Sequence, residues 1–530
     1  MRTRGIPVAA VVVVLSAVAG GVFGSQVVAT QERVDERYHM YRTALAAIEQ
    51  NYVEEVDSSA IVYGSIDGML RTLDPHSYFL DPRLYKQVRE RQEGHYKGIG
   101  ITIQKLSGGI TVTALFEGSP AYRAGIRRND IIAKVGTEDA SAFETQDVVD
   151  RVRGPEGTTV DISIKRPGRD KLIDLTVERA EIKIVTVRTA FMIAPQTGYV
   201  RLQDFSENTN AELTEALWKL KSSGMERLVL DLRDNPGGPL DQAIAVSNQF
   251  LPKGKMIVST RGRLPNTDED YRALEEGAYT DLPLIVLVNR SSASASEIVS
   301  GAVQDHDRGL IIGETTFGKA LVQGVYTLSN RSGLALTTGR YYTPSNRLIQ
   351  RPWDGAFDEY LMYSQRDQEA EREHDPADLR LTAGGRKVYS GGGIEPDHFI
   401  PGPVEGFNPS RFSRMLKDRG AFIGFAERFT KEGDTRPGAT SAAKYKVAPG
   451  WQVTDAMVQE FRQFVAAERV RVDEAAFKAD ATFIKAMIRF EVDADLFGIE
   501  EARRNLTKID PQAQGALGFF DEARQLIARR

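Results

Sequence analysis

The stretch NRSSASASEIV at 289–299 sets four serines, Ser291, Ser292, Ser294 and Ser296, between an apolar run and a helical pattern. A serine hydroxyl becomes a useful nucleophile when a base takes its proton. No histidine motif accompanies this run, and His306, beside Asp305, is the nearest of the six histidines in sequence. Serines ahead of a helix also cap it, because their oxygens accept hydrogen bonds from unpaired N–H groups. A second candidate follows in the turn Thr-Phe-Gly-Lys at 316–319, where Lys319 stands among apolar neighbours. If its ammonium is desolvated, the charged form is disfavoured and the amine can act as a general base. Serine–lysine pairs are an established alternative to a histidine triad. On residue chemistry alone, a lysine that reaches past apolar neighbours to water is the simpler reading. A third stretch, DNPGG at 234–238, follows the apolar run RLVLDLR. It is either a plain chain reversal or a source of backbone N–H groups for a developing oxyanion.

Composition narrows the chemistry. The chain has 530 residues and no cysteine, which excludes disulfides, thiolate metal sites and a cysteine nucleophile. None of the six histidines has a metal-binding spacing, so neither a metal nor another cofactor is expected. The 68 basic and 73 acidic side chains give a formal charge of -5 without long single-sign blocks, which argues against a nucleic-acid partner.

The elements that must position these residues alternate. Strand-like runs GYVRLQDF, RLVLDLR, LIVLVN and LIIGET are interspersed with helical stretches at 240–250 and 296–303, which predicts an α/β core. Short strand patterns from residue 94 onward predict a separate compact domain. Residues 31–93 have helical texture interrupted by LDPHSYF. A polar linker at 431–450 precedes a helical tail in which Met457, Val458, Phe461, Phe464 and Val465 share one face. At the N-terminus, Arg2 and Arg4 precede the apolar run 6–23, the layout of a secretory signal or retained membrane anchor.

In combination, SASASEI, GAVQD, TTFGKALVQ, LDLRDNPGG, GRYYTPSNRLIQ and GGGIEPD closely resemble the carboxyl-terminal processing proteases, a serine–lysine family with an embedded PDZ domain. The resemblance spans about 31–401. It implies Ser294 as nucleophile, Lys319, twenty-five residues later, as base, and Gln323 as the group that orients the lysine. It also implies an oxyanion hole drawn from Ala295 with Gly237 or Gly238, and Asp305 as a supporting acid. His306 receives no role. The region 94–181 becomes the PDZ domain, with Gly98, Ile99, Gly100 and Ile101 as the loop that binds a substrate's terminal carboxylate. Asn129 stands before Asp130 where the family usually has glycine, and asparagine tolerates the left-handed conformation.

The implied architecture is an α/β multidomain chain. It comprises a signal or anchor at 1–30, N-terminal helices at 31–93, the PDZ domain at 94–181, a protease core of crotonase-like type at 182–405 and a helical C-terminal appendage at 406–530. The implied function is an endopeptidase that takes unstructured C-terminal tails of extracytoplasmic proteins, acting in the bacterial periplasm, tethered to the inner membrane or released from it. A PDZ scaffold that binds tails without cutting them is the alternative, and an esterase with the same dyad is a more distant one. Retention of Ser294, Lys319 and Gln323 together disfavours the scaffold. An adaptor and a homodimer remain open, and the tail beyond 406 is expected to bear on substrate choice and oligomeric state rather than on the reaction.

Overall fold

The computed structural model describes residues 35–529, apart from 107, 117, 167–168, 170, 265–266, 354–359, 364–373, 403–408 and 431–446. The expected signal or anchor at 1–30 and most of the 431–450 linker lie outside the described residues. Among the described residues, no helix is long and apolar enough to cross a membrane. The chain divides into two compact units.

The smaller unit, Met1–Asp81 with Tyr326–Ala335, holds helix α1 (35–51), helix α2 (Ser58–Arg71) and strand β1 (Tyr78–Leu80). Asp57 caps α2 by accepting from the Ser59 and Ala60 N–H groups, and β1 pairs antiparallel with residues 333–335.

The larger unit begins with α3 (Pro82–Glu93) and β2 (His95–Gly98), after which the PDZ domain is built from β3 (Ile101–Leu106), β4 (Gly109–Leu115), α4 (Pro120–Arg123), β5 (Ile131–Val135), β6 (Glu138–Asp139), α5 (Thr145–Val152), β7 (Thr159–Lys165) and β8 (Ile173–Glu178). Its strand order β3-β4-β5-β7-β8 leaves β3 at an edge, where its outer backbone groups are available to an added strand. Alternating residues fill the interior, Val160, Ile162 and Ile164 of β7 being buried and Thr159 and Asp161 exposed. Strand β9 (Ala180–Lys183) returns to pair with β2, so the connections into and out of the domain are joined to one another.

The core sheet runs β10 (Thr189–Ala194), β11 (Thr197–Arg201), β12 (Arg227–Asp231), β15 (Leu284–Val288), β16 (Leu310–Gly313) and β21 (His398–Phe399), all parallel except β10. Between β12 and β15 lie β13 (Met256–Gly262) and β14 (Glu269–Arg272); after β16 come β17 (Leu321–Thr327), β18 (Gly333–Tyr342), β19 (Leu379–Leu381) and β20 (Lys387–Tyr389). A parallel sheet must be covered on both faces, and β15 reads LIVLV with every residue buried. One face packs on α6 (Thr209–Ser222), α7 (Leu240–Asn248) and α8 (Ala295–Asp305), with Leu228, Leu230, Val286 and Val288 pointing that way. Val229, Ile285, Leu287, Leu310 and Ile312 point to the other face.

Residues from the end of the chain cover that second face. The tail contains α9 (Arg411–Asp418), α10 (Ala421–Thr430), α11 (Asp455–Ala467), α12 (Glu474–Ala479), α13 (Ala481–Leu496), α14 (Ile499–Thr507), α15 (Pro511–Ala516) and α16 (Phe520–Ala528). Helices α9 to α13 form an aromatic cluster of their own, in which Phe422 stacks on Phe461 at 4.7 Å. Ala513, Ala516, Phe520 and Ala523 of α15 and α16 instead pack against the sheet. The tail is helical as expected, but its last two helices are a layer of the core rather than an appendage to it.

The tail also grips the PDZ domain. Asn129 has φ +69, the left-handed conformation its side chain tolerates, and its amide donates to Asp495. Next to it, Arg128 donates to Asp495 at 2.5 Å, to Glu491 and to the Thr113 carbonyl. All three charged groups are largely desolvated. Arg128→Ala strips two buried carboxylates of their cation and is expected to lower the unfolding free energy by about 3 kcal/mol in denaturant titrations. A loss below about 1 kcal/mol would mean that water replaces the guanidinium at little cost.

Candidate active site

Strand β15 ends at Val288, and the chain makes a tight loop before entering α8 at Ala295. Ser294 occupies the turn between them with φ +54, a conformation most L-residues avoid. Its N–H donates to the Glu297 carboxylate at 2.8 Å, while its own carbonyl accepts the Glu297 N–H. Ser294 is half-buried, whereas Ser292 and Ser296 are fully enclosed. Ser292 Oγ donates to the Leu232 carbonyl at 2.8 Å, and Ser296 Oγ donates to the Asn235 carbonyl at 3.0 Å. These two hydroxyls therefore bind the serine loop to the turn after β12.

Lys319 arrives from the loop between β16 and β17, and its Nζ donates to Gln323 Oε1 on β17 at 2.9 Å. Glu297 ties this loop to the serine turn. Oε2 of its carboxylate accepts the Ser294 N–H at 2.8 Å and the Lys319 N–H at 2.9 Å. Oε1 accepts the Thr316 hydroxyl at 2.5 Å and the Gly318 N–H at 2.7 Å. Tyr341 of β18, also buried, adds a second tie: its hydroxyl donates to the Lys319 carbonyl at 2.8 Å and lies 3.3 Å from the Ser294 carbonyl. The resemblance had assigned neither residue a role. Ser294 and Glu297 have the S-x-x-E spacing of a capping box, a signal that places Glu297 at Ser294 but not at Lys319.

The turn after β12 sits against the serine. A Cβ on Gly237 would lie 2.7 Å from both Ser294 Cβ and the Ala295 nitrogen, and one on Gly238 would lie 2.2 Å from the Phe205 carbonyl oxygen, so neither position has room for a side chain. The Gly237 N–H donates to Asn235 Oδ1 at 2.9 Å, which engages it within the turn. Among the described residues, the Gly238 and Ala295 N–H groups donate to no protein acceptor. Of the three oxyanion candidates, Gly237 has its N–H engaged within the turn, while Gly238 and Ala295 keep available donors.

Asp305 lies at the far end of α8, about 16 Å along the helix from Ser294 at 1.5 Å per residue. It is buried against Arg347 and accepts the Ser345 N–H at 2.9 Å and hydroxyl at 2.7 Å, contacts that brace the α8 C-terminus. Its supporting role is structural. His306 Nε2 lies 2.6 Å from the Met256 carbonyl oxygen.

In the PDZ domain, residues 98–101 join β2 to β3. Gly100 has φ +82, and a Cβ there would lie 2.3 Å from Ser119 Cβ. The Ile99 carbonyl accepts the Ala121 N–H, and the Gly100 carbonyl accepts from the Phe116 N–H and Ser119 Oγ. The loop's carbonyls are thus engaged with α4 and its approach, and among the described residues the Ile99 and Gly100 N–H groups donate to no protein acceptor. This matches the requirement for carboxylate capture beside an open edge strand. Farther along, Lys105 of β3 meets Glu144, the residue before α5, at 2.6 Å.

Models of known families match three segments: peptidase family S41 at 196–355, a PDZ domain at 111–166 and the N-terminal domain of the activating protease CtpB at 23–83. A carboxy-terminal-processing protease of Bartonella bacilliformis is 40% identical over 307 residues, covering 57% of this chain and 70% of the relative. The chain belongs to this family. The carboxy-terminal processing protease CtpA of Bacillus subtilis is 33% identical over 318 residues, covering 60% of this chain and 67% of the relative. The solved photosystem II D1 C-terminal processing protease is 27% identical, covers 69% of this chain and 93% of its own, and superposes with a TM-score of 0.35. The protein is a serine-type carboxy-terminal processing protease with a PDZ domain.

Electrostatics single out Glu297. Burial pushes its carboxyl up to about 7, against the pull of Thr316, Lys319, Gly318 and Ser294, whose four hydrogen bonds suit the ionised form. With the folded pKa raised, its contribution to stability is full in acid and is lost as pH rises from about 4.5 to about 7, an effect of roughly 3 kcal/mol. The state that organises the family's serine and lysine loops is therefore the one that costs stability. Glu297→Gln, with a single acceptor oxygen for two pairs of donors, is expected to lower kcat at least about ten-fold. Denaturant unfolding at pH 5 and pH 8 should show wild type losing stability relative to this variant; parallel curves would refute the raised carboxyl.

Proposed function

We propose that the protease is an endopeptidase that captures unstructured C-terminal tails in its PDZ groove and cleaves them with a Ser294–Lys319 dyad. The observation that carries this reading is the double tie of Glu297 and Tyr341, which fixes the backbones of Ser294 and Lys319 to one another. A tail-binding module without catalysis has no use for such a link. In this reaction the neutral Lys319 amine takes the Ser294 Oγ proton, and the oxygen attacks the scissile carbonyl carbon. Negative charge gathers on the carbonyl oxygen, which the Ala295 and Gly238 N–H groups stabilise. The C–N bond breaks as the Lys319 ammonium returns the proton to the leaving amine, giving an acyl-enzyme. Water then gives a proton to Lys319 and its oxygen to the acyl carbon, and Ser294 regains a proton from the lysine. Gln323 holds the lysine side chain between these transfers through its 2.9 Å hydrogen bond.

On the substrate side, the tail adds as a strand to β3 with its carboxylate on the Ile99 and Gly100 N–H groups. Arg2, Arg4 and the apolar run 6–23 support action outside the cytosol, with the chain tethered to the inner membrane or released after cleavage.

Ser294→Ala should lose at least about 10³-fold in turnover while changing stability by less than about 1 kcal/mol. Ser292→Ala should keep measurable turnover, within about ten-fold of wild type, and lose about 1–2 kcal/mol, because the Leu232 carbonyl keeps only the Asn235 N–H at 3.3 Å and the Asn289 N–H loses its acceptor. Lys319→Arg should be as inactive as Lys319→Ala, since a guanidinium cannot accept the serine proton. Cleavage of an unstructured polypeptide with a free C-terminus, followed by mass spectrometry of the products, measures all four variants. Near-normal turnover by Lys319→Arg would refute the dyad.

A further inference from the structure

The turn that carries Gly238 begins at Arg233, whose guanidinium is buried. On its own strand, Asp231 binds Arg233 through both carboxylate oxygens, with Nη2 at 2.7 Å and Nε at 3.0 Å. Burial alone would raise the Asp231 carboxyl, yet the adjacent Arg233 and Arg201 guanidinium groups hold it down at about 2. The remaining ligands come from the tail. Asp510 Oδ2 accepts from Arg233 Nη2 at 2.6 Å, and Gln512 Oε1 accepts from Nη1 at 2.8 Å. Both residues lie far beyond the 196–355 segment that matches the protease family model.

We infer that Asp510 and Gln512 are positioning residues for peptide-bond cleavage, acting through Arg233 to hold the Asp234–Gly238 turn against Ser294. The linkage is continuous. The Arg233 carbonyl lies 3.4 Å from Arg201 Nη2, which also binds Asp234 at 2.9 Å. Asp234 has φ +60, and its N–H and carboxylate form a reciprocal pair with the Asn289 side chain. The Asn235 carbonyl then accepts the Ala293 N–H and the Ser296 hydroxyl. A shift of Arg233 moves the start of a turn whose far end meets the serine loop. Gln512 fixes the tail side, since its amide donates to the Ile400 carbonyl next to β21. The assignment rests on the reading of Gly238 and Ala295 as oxyanion donors.

Asp510 performs two tasks with two oxygens. Oδ1 caps α15 by accepting the Gln512 and Ala513 N–H groups, and Oδ2 binds Arg233. Asp510→Asn therefore keeps the cap and turns an N–H₂ group toward the guanidinium, whereas Asp510→Glu keeps the charge and disturbs the cap. The test uses the full chain, an unstructured substrate, and a matched pair of peptide inhibitors ending in an aldehyde or the corresponding alcohol. The aldehyde forms a tetrahedral serine adduct whose oxygen needs the hole. Asp510→Asn is expected to lower kcat about ten-fold with KM within two-fold, a smaller loss than the 10²–10³ of deleting a donor outright. Its preference for aldehyde over alcohol should fall by a similar factor, with partial recovery in Asp510→Glu. Glu522→Gln, which alters another tail contact at His398, should match wild type in both. Folded Asp510→Asn with wild-type kcat and aldehyde preference overturns the positioning role. A wild-type enzyme without any aldehyde preference overturns the serine and oxyanion reading itself, and the inference with it.

Discussion

One buried carboxylate decides whether this protein has an assembled site. Ser294 and Lys319 lie on loops that leave different strands, β15 and β16, and neither loop has regular structure to hold it. Glu297 accepts hydrogen bonds from both loops at once, and four donors converge on its two oxygens. A charge-assisted hydrogen bond is about twice as strong as a neutral one, and the dry surroundings strengthen it further. The same dryness makes the charge expensive. The protein thus spends stability on holding two loops in register, which is where strain is expected if geometry matters more than rigidity.

The rest of the fold works to keep that register. Tyr341 ties the same two loops from their carbonyl side, and Ser292 and Ser296 sew the serine loop to the turn after β12. The turn in turn rests on Arg233, whose ligands include residues of the tail. The tail must be close because a parallel sheet exposes two apolar faces, and α6, α7 and α8 cover only one of them. Once α15 and α16 close the second face, Asp510 at the head of α15 falls beside the ends of β11 and β12. Completion of the sheet and completion of the arginine's hydrogen bonding are thus the same packing event.

Much of this was legible in the residues. The alternation of apolar runs and helical stretches predicted the α/β core, and the ordered motifs pointed to Ser294 and Lys319, residues in local turns whose chemistry is written nearby. Asn129 could be read as left-handed from its type alone, although its bond to Asp495, 366 residues away, could not. Glu297 shows the boundary well: its reach to Ser294 follows from a spacing of three, while its reach to Gly318 and Lys319 depends on how two strands lie side by side. That the Gly237 N–H is taken up by the Asn235 side chain, while that of Gly238 is not, is a difference no spacing encodes. Helices α15 and α16 contact the sheet through Phe520 and Leu526 together with Ala513, Ala516 and Ala523, and the three alanines leave only a faint apolar period. Asp510 was invisible for the plainest reason, since 277 residues separate it from Arg233.

These attachments also limit what tail binding can do. The PDZ domain is held by the Arg153–Glu90 ion pair at 2.5 Å and by the Arg128 contact with α13. A swing of the domain that separates Arg128 and Asn129 from α13 gives up their hydrogen bonds to Glu491 and Asp495, whose net worth after water has rehydrated the charges is about 3 kcal/mol. A bound tail can drive such a swing only through tighter binding to the open arrangement, and 3 kcal/mol corresponds to roughly a 150-fold difference in affinity. A tail that meets both arrangements with the same β3 edge and the same carboxylate loop supplies no such difference. Contacts confined to the PDZ groove therefore leave the domain where it is, and any tail that does move it must also touch the core or the C-terminal helices.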